Sequence, residues 1–184
     1  MSIWRWLPTL LAFPLGGLVA LVFFRDSSSP MVAALGGLIV GAAVGGAQWI
    51  ALRPRVGPSW LVVTALGMAL GGCVSWLLVG PPTSAPTGAI TGVLTGGLVG
   101  AGQAFVLSCG ASAGVTWSAA TGLLWALGWL IPAATTVGVD RAPFIFGWSG
   151  AAVVTVVSGI VLRMLIGRRE PRRGTVAVPI PDEE

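Results

Sequence analysis

Polar side chains are scarce in this chain, so the few that could do chemistry stand out. Two glutamines recur in matching settings. Gly37-x-x-x-Gly41-x-x-x-Gly45 runs into Gln48, and Gly92-x-x-x-Gly96-x-x-x-Gly100 runs into Gln103. At about 100° per residue on a helix, each glycine row shares an arc of about 80° with its glutamine and the leucine four residues on. A stripe without side chains lets two helix backbones approach closely, and in a membrane such contacts drive helix association. A glutamine amide facing lipid would lack partners, so each should point at another helix. Two chemistries follow. Gln48 and Gln103 can hydrogen-bond between helices and hold a bundle together, or they can line a polar path or a site for a small neutral ligand.

Other chemistry fails on inventory. The chain has no His and also lacks Lys, Tyr and Asn. The commonest general base and metal ligand are therefore missing. Gly110-Ala111-Ser112-Ala113-Gly114 spells the G-x-S-x-G nucleophile elbow. That elbow needs a preceding strand, a following helix and a His, and here the string falls between two apolar runs. The apolar runs hold no paired carboxylates, and the chain has no Cys/His cluster and no phosphate-binding loop. The sequence predicts no catalytic residue, no metal site, no cofactor and no enzyme. Cys73 and Cys109 fall about 20 Å apart along the membrane normal, too far to bridge, and read as residues of the helix contacts.

The elements that must position the glutamines are membrane helices. Charged residues make up 9% of the 184-residue chain, against roughly 25% in a soluble domain. The mean hydropathy is +0.91. A spanning helix needs about 20 apolar residues. Six runs qualify: Trp6–Phe24, Met31–Leu52, Trp60–Val79, Thr87–Ser108, Val115–Val139 and Phe144–Ile166. They are apolar all round, which excludes the alternation of a transmembrane barrel. The first run lacks a small-x-small cleavage site before Arg25 and reads as a retained helix rather than a signal peptide.

The ten basic residues are all arginine. Arg5, Arg53, Arg55, Arg163, Arg168, Arg169, Arg172 and Arg173 fall on one side; Arg25 and Arg141 fall on the other, each beside an Asp. The positive-inside rule then puts both termini in the cytoplasm, in a bacterial inner membrane. Trp4, Trp6, Trp49, Trp60 and Trp117 near one boundary, and Trp76 and Trp148 near the other, are expected to form an interfacial aromatic belt.

The chain also repeats itself. A shift of 55 residues places Thr9, Leu15, Gly16 and Gly17 on Thr64, Leu70, Gly71 and Gly72, and Gly37, Gly41, Gly45 and Gln48 on Gly92, Gly96, Gly100 and Gln103. A shift of 57 places Trp60, Thr64 and Gly71 on Trp117, Thr121 and Gly128. Pro30, Pro86 and Pro143 precede the even-numbered runs. The sixth run keeps Gly150 and Leu165, with Val161 in the glutamine position. A two-helix period preserves orientation, so the repeats are parallel and related by an axis along the membrane normal. The expected fold is all-α: a six-helix transmembrane domain over 1–166, built from three hairpins of about 4–55, 56–110 and 111–166 in pseudo-threefold array.

The remaining polar residues suit background roles. Thr64, Ser75, Thr91, Thr95, Thr121, Thr135, Thr136 and Thr155 can bond to carbonyls of the preceding turn. Pro8, Pro14 and Pro132 should kink their helices. The segment 167–184 is basic first and acidic last, a flexible cytoplasmic tail. Its Arg168, Arg169, Arg172 and Arg173 would attract anionic lipid headgroups. Thr175–Pro181 could dock on a partner as an extended peptide. The basic cluster is too short, and too free of aromatics, for nucleic acid.

At Gly45-Gly46-Ala47-Gln48-Trp49-Ile50-Ala51-Leu52-Arg53 the chain resembles a loose group of small, uncharacterised bacterial multi-pass membrane proteins. In these a glycine-rich helix runs into Gln-Trp and Leu-Arg and a Trp-led helix follows. The second copy departs from the pattern, with Ala104 for the Trp and Ser108 for the Arg. The resemblance implies the hairpin architecture and no activity. The sequence expectation is a non-enzymatic accessory or scaffold subunit acting through glycine-stripe contacts, with the lipid bilayer, anionic headgroups and other membrane subunits as partners. The alternative is a small channel or facilitator for a neutral solute lined by Gln48 and Gln103.

Overall fold

A computed structural model of the chain describes residues 3–134 and 148–167. Among the described residues the backbone is helical, with short connections and no strand. A short helix α1 (Ile3–Trp6) tightens into a 3₁₀ segment (Leu7–Leu11) and continues as α2 (Ala12–Phe24). Then come α3 (Pro30–Leu52), α4 (Ser59–Val79), α5 (Ala85–Leu107), α6 (Ala111–Ala134) and α7 (Trp148–Gly167).

Among the described residues five stretches are long and apolar enough to cross a membrane: Trp4–Phe24, Pro30–Leu52, Ser59–Val79, Ala85–Leu107 and Ala111–Ile131. The sixth contributes a shorter apolar helix over Ser149–Leu165. The expected end of the fifth run, the start of the sixth, Thr135, Thr136 and the tail with Arg168, Arg169, Arg172 and Arg173 lie outside the described residues.

Local sequence explains where these helices begin and end. Ser29 caps α3 by accepting from the Val32 N–H at 3.2 Å, with Pro30 in the first turn. Ser84 and Thr87 form a reciprocal capping box on α5, with Pro86 in the first turn. Both arrangements satisfy donors that a helix start leaves open. Gly80 ends α4 at φ 77°, a backbone region that costs glycine little. Pro8 lies in the 3₁₀ segment. Pro14 sits in the first turn of α2, directly after that segment.

Each helix lies against the next in sequence, and α7 returns to α1, the 3₁₀ segment and α2, so the bundle closes on itself. All the long helices feed the interior. Phe13, Val40, Val44, Met68, Val99, Trp125 and Val154 share one buried cluster. Trp6, Leu52, Trp60, Trp117 and Leu162 share a second, at what we call the tryptophan end. Large apolar side chains such as Val22, Phe23, Leu66, Leu77 and Phe105 stay exposed. So much exposed apolar surface suits a lipid environment, and the apolar helices are compatible with an integral membrane protein.

The glycine rows face neighbours within the chain. A Cβ at Gly41 would lie 2.7 Å from the Ala65 Cα, and one at Gly45 would lie 3.0 Å from the Leu61 Cα, both on α4. A Cβ at Gly96 would lie 2.6 Å from the Thr121 carbonyl oxygen, and one at Gly100 would lie 2.7 Å from the Ser118 Cα, both on α6. Gly37 meets Met68, and Gly92 meets Trp125 and Ala126. The most extensive contacts are therefore α3 with α4 and α5 with α6, which join neighbouring hairpins of the expected division rather than the two halves of one hairpin. A second set of contacts joins the halves: Gly16 meets Val40, Gly71 meets Thr95, and Gly150 meets Gly128.

The expected aromatic belt is only partly present. Trp4 is 78% exposed, but Trp6, Trp60 and Trp117 are exposed by only 1%, 0% and 2%. Each buried indole finds an acceptor inside the bundle, so burial of its large apolar ring leaves no donor open.

Candidate functional site

The polar site that the sequence points to assembles at the tryptophan end. Gln48 comes from α3, Trp60 and Thr64 from α4, Gln103 from α5, and Trp117 and Thr121 from α6. Gln48 lies on the stripe that Gly41 and Gly45 press against α4, and this brings it beside Trp60. The Trp60 Nε1–H donates to Gln48 Oε1 at 3.0 Å. Gln103 Nε2 donates to the same Oε1 at 3.2 Å and to Thr64 Oγ1 at 3.0 Å. Thr64 Oγ1 in turn donates to the Trp60 carbonyl at 2.8 Å, returning the chain of bonds to the residue where it began.

The second copy repeats the inner part. The Trp117 Nε1–H donates to Gln103 Oε1 at 3.1 Å, and Thr121 Oγ1 donates to the Trp117 carbonyl at 2.8 Å. Gln48 is 9% exposed and Gln103 only 2%. In a low-dielectric interior a connected network of this kind stabilises its members mutually.

A third station uses different groups. The Trp6 Nε1–H donates to the Thr155 carbonyl at 2.7 Å, and Ser158 Oγ donates to the same oxygen at 3.2 Å. The Trp6 ring covers Gly159, where a Cβ would lie 2.5 Å from Trp6 Cδ1. The contacts also revise the expected register of the last helix. Gly150 stands opposite Gly128 as Thr95 stands opposite Gly71. On that register Ser158, rather than Val161, occupies the position equivalent to Gln103.

No ionisable group belongs to this network, so it can orient helices and accept or donate hydrogen bonds but has no acid, base or nucleophile to offer. Ser112 of the G-x-S-x-G string is exposed in the first turn of α6, and its carbonyl accepts from Thr116 Oγ1. Cys73 and Cys109 are free thiols. The arginines of the same end stay outside: Arg5 Nη2 reaches the Ile50 carbonyl at 3.3 Å, and the Arg53 guanidinium lies 3.9 Å from the Trp49 ring centroid.

Above the network the interior is apolar, then meets a partly open cavity. Val44 and Val99 are 0% and 1% exposed. One turn further from the tryptophan end, Val40, Met68, Thr95 and Trp125 line a cavity of about 70 Å³. Thr64, Thr121 and Ser75 hide their hydroxyls on carbonyls of their own helices, as expected. Thr91, Thr95 and Thr155 do not: their hydroxyls are buried without a hydrogen-bond partner, as is that of Ser27.

The sequence reasoning found both glutamines and their stripes but missed the indoles and hydroxyls that complete the site. The signal was present, because Trp60 with Thr64 and Trp117 with Thr121 repeat the same four-residue spacing after each glutamine. The chain matches no protein-family profile, no curated protein and no solved structure.

Proposed function

We propose that this chain is a non-enzymatic integral membrane protein, an accessory or scaffold subunit whose interior contacts make a rigid platform. Three parallel two-helix repeats around an axis along the membrane normal would build it. The matched contacts Gly16–Val40, Gly71–Thr95 and Gly128–Gly150, and the matched stripes of α3 against α4 and of α5 against α6, support that arrangement. The arginine asymmetry supports a bacterial inner-membrane location with cytoplasmic termini. Arg168, Arg169, Arg172 and Arg173 would then meet anionic headgroups of the inner leaflet.

One observation carries the reading: Gln48 Oε1 and both polar atoms of the Gln103 amide are already engaged within the bundle. A solute path along these amides would have to break those bonds and pass the buried Trp6, Trp60 and Trp117 layer, so the geometry favours glue over conduit. The glycine stripes are occupied within the chain. A partner subunit would therefore meet outward faces such as that of Leu66 and Leu70 on α4, which are 58% and 54% exposed.

Photo-crosslinking in native membranes tests this reading. A photoreactive residue at Leu66 or Leu70 should yield protein adducts, whereas lipid adducts alone would argue against a scaffold. In parallel, proteoliposomes should pass glycerol no faster than empty vesicles. Flux that Gln48→Leu with Gln103→Leu abolishes would establish the facilitator instead.

A further inference from the structure

We infer that the half of the bundle remote from the tryptophan end holds a binding site for one small, neutral, largely apolar molecule that carries a hydroxyl or carbonyl group. The cavity there, of about 70 Å³, is walled by Phe13, Met68, Trp76 and Trp125 from three helices, and Gly80 and Pro82 stand at its rim. Three hydroxyls in its lining, those of Ser27, Thr91 and Thr95, are buried with no hydrogen-bond partner. Ser27 and Thr95 are each only 6% exposed. Orphaned buried hydroxyls are uncommon because each carries a desolvation penalty, and three in one cavity mark a place where a partner belongs.

The chemistry of the walls selects that partner. Among the described residues no charged side chain lines the cavity, so an ion would be desolvated without compensation. The aromatic and Met walls suit an apolar body. Each hydroxyl offers one donor and two acceptor positions, so a ligand alcohol or carbonyl can bond to any of them. The Trp76 Nε1–H is already engaged with the Ser27 carbonyl at 2.8 Å, which holds the rim and leaves the Ser27 hydroxyl for the ligand. A single water needs about 10–15 Å³, whereas a 150 Å³ engineered cavity takes benzene. The ligand is accordingly a molecule of about three to five non-hydrogen atoms. Val44 and Val99 separate it from the glutamines, so the site is independent of the network and of the scaffold reading.

Fluorine NMR of the full chain in micelles, with 2-fluoroethanol as the probe and empty micelles as the baseline, tests the site. The expected result is saturable line broadening that 1-propanol reverses by competition. Thr91→Val with Thr95→Val should weaken the affinity about tenfold, because one or two ligand hydrogen bonds are lost. The same variant should melt at or above the wild-type temperature, since a methyl replaces an orphaned hydroxyl. Absence of a saturable component, showing that the cavity takes only water, would overturn the proposal. So would an unchanged affinity in the double variant combined with Ser27→Ala. A lower melting temperature for Thr91→Val with Thr95→Val would show that the hydroxyls are satisfied within the chain, and would overturn it too.

Discussion

Gln103→Leu tests the closed network most directly. Gln103 makes three side-chain hydrogen bonds: two donated from Nε2, to Gln48 and to Thr64, and one accepted by Oε1 from Trp117. Leucine removes all three, but the losses are unequal. Gln48 Oε1 keeps the Trp60 indole, and Thr64 Oγ1 keeps its bond to the Trp60 carbonyl. The Trp117 indole, only 2% exposed, is left with an open donor, which costs about 1–3 kcal/mol. The two other bonds add roughly 0.6 kcal/mol each, the average for interhelical bonds in a membrane protein. The expected loss is therefore about 2–4 kcal/mol.

Gln48→Leu opens the Trp60 donor but spares the Gln103–Thr64 bond, so it should cost about 0.6 kcal/mol less. Adding Trp117→Phe to Gln103→Leu removes the orphaned donor, and replacing both partners by apolar groups is nearly neutral. That double variant should recover at least half of the loss. Reversible unfolding in mixed micelles with increasing sodium dodecyl sulfate, followed by circular dichroism, measures all four proteins. A Gln103→Leu change within about 0.5 kcal/mol of wild type would refute the network as a stabilising element, because such a change is ordinary for a surface substitution. Failure of Trp117→Phe to compensate would refute the assignment of the cost to the indole.

The other predictions concern the helix contacts, bundle closure and topology. Gly41→Ala brings a Cβ to 2.7 Å from the Ala65 backbone and should lower stability by about 1–3 kcal/mol. Gly97→Ala meets nothing within 4 Å and should instead raise it by about 0.5–1 kcal/mol; the same unfolding titration ranks the pair. Trp6→Phe removes the indole bond to Thr155 that joins the first and last helices, and should cost about 1 kcal/mol and speed hydrogen exchange in α7. In a Cys73→Ser background, a membrane-impermeant maleimide should label Cys109 in inverted vesicles and not in right-side-out vesicles. The reverse pattern would overturn the arginine-based orientation.

Several features were legible in the sequence because they depend on local composition and period. Apolar runs of about 20 residues specify helices wherever lipid is the solvent. Ser29 before Pro30 and Ser84 before Pro86 mark helix starts. The glycine rows mark close approach, and the paired shifts of 55 and 57 foreshadow the matched contacts. Gln48 and Gln103 had to turn from lipid, and both are buried.

The identity of each neighbour was a tertiary decision. Helices that are apolar all round have no polar face to orient them, so the sequence could not say whether the stripes serve this chain or another. The structure sets them against α4 and α6. Tryptophan is at home both at a membrane interface and in a core where its N–H finds an acceptor. Only the position of Gln48, Gln103 and the Thr155 carbonyl drew Trp60, Trp117 and Trp6 inward. Threonine can bond its own preceding turn, as Thr64 and Thr121 do, or leave its hydroxyl open, as Thr91 and Thr95 do. That choice depends on what the neighbouring helices place beside it, which no local pattern records. The sequence determined that polar groups inside the membrane must find partners; the tertiary structure decided which ones bond to each other and which line the cavity.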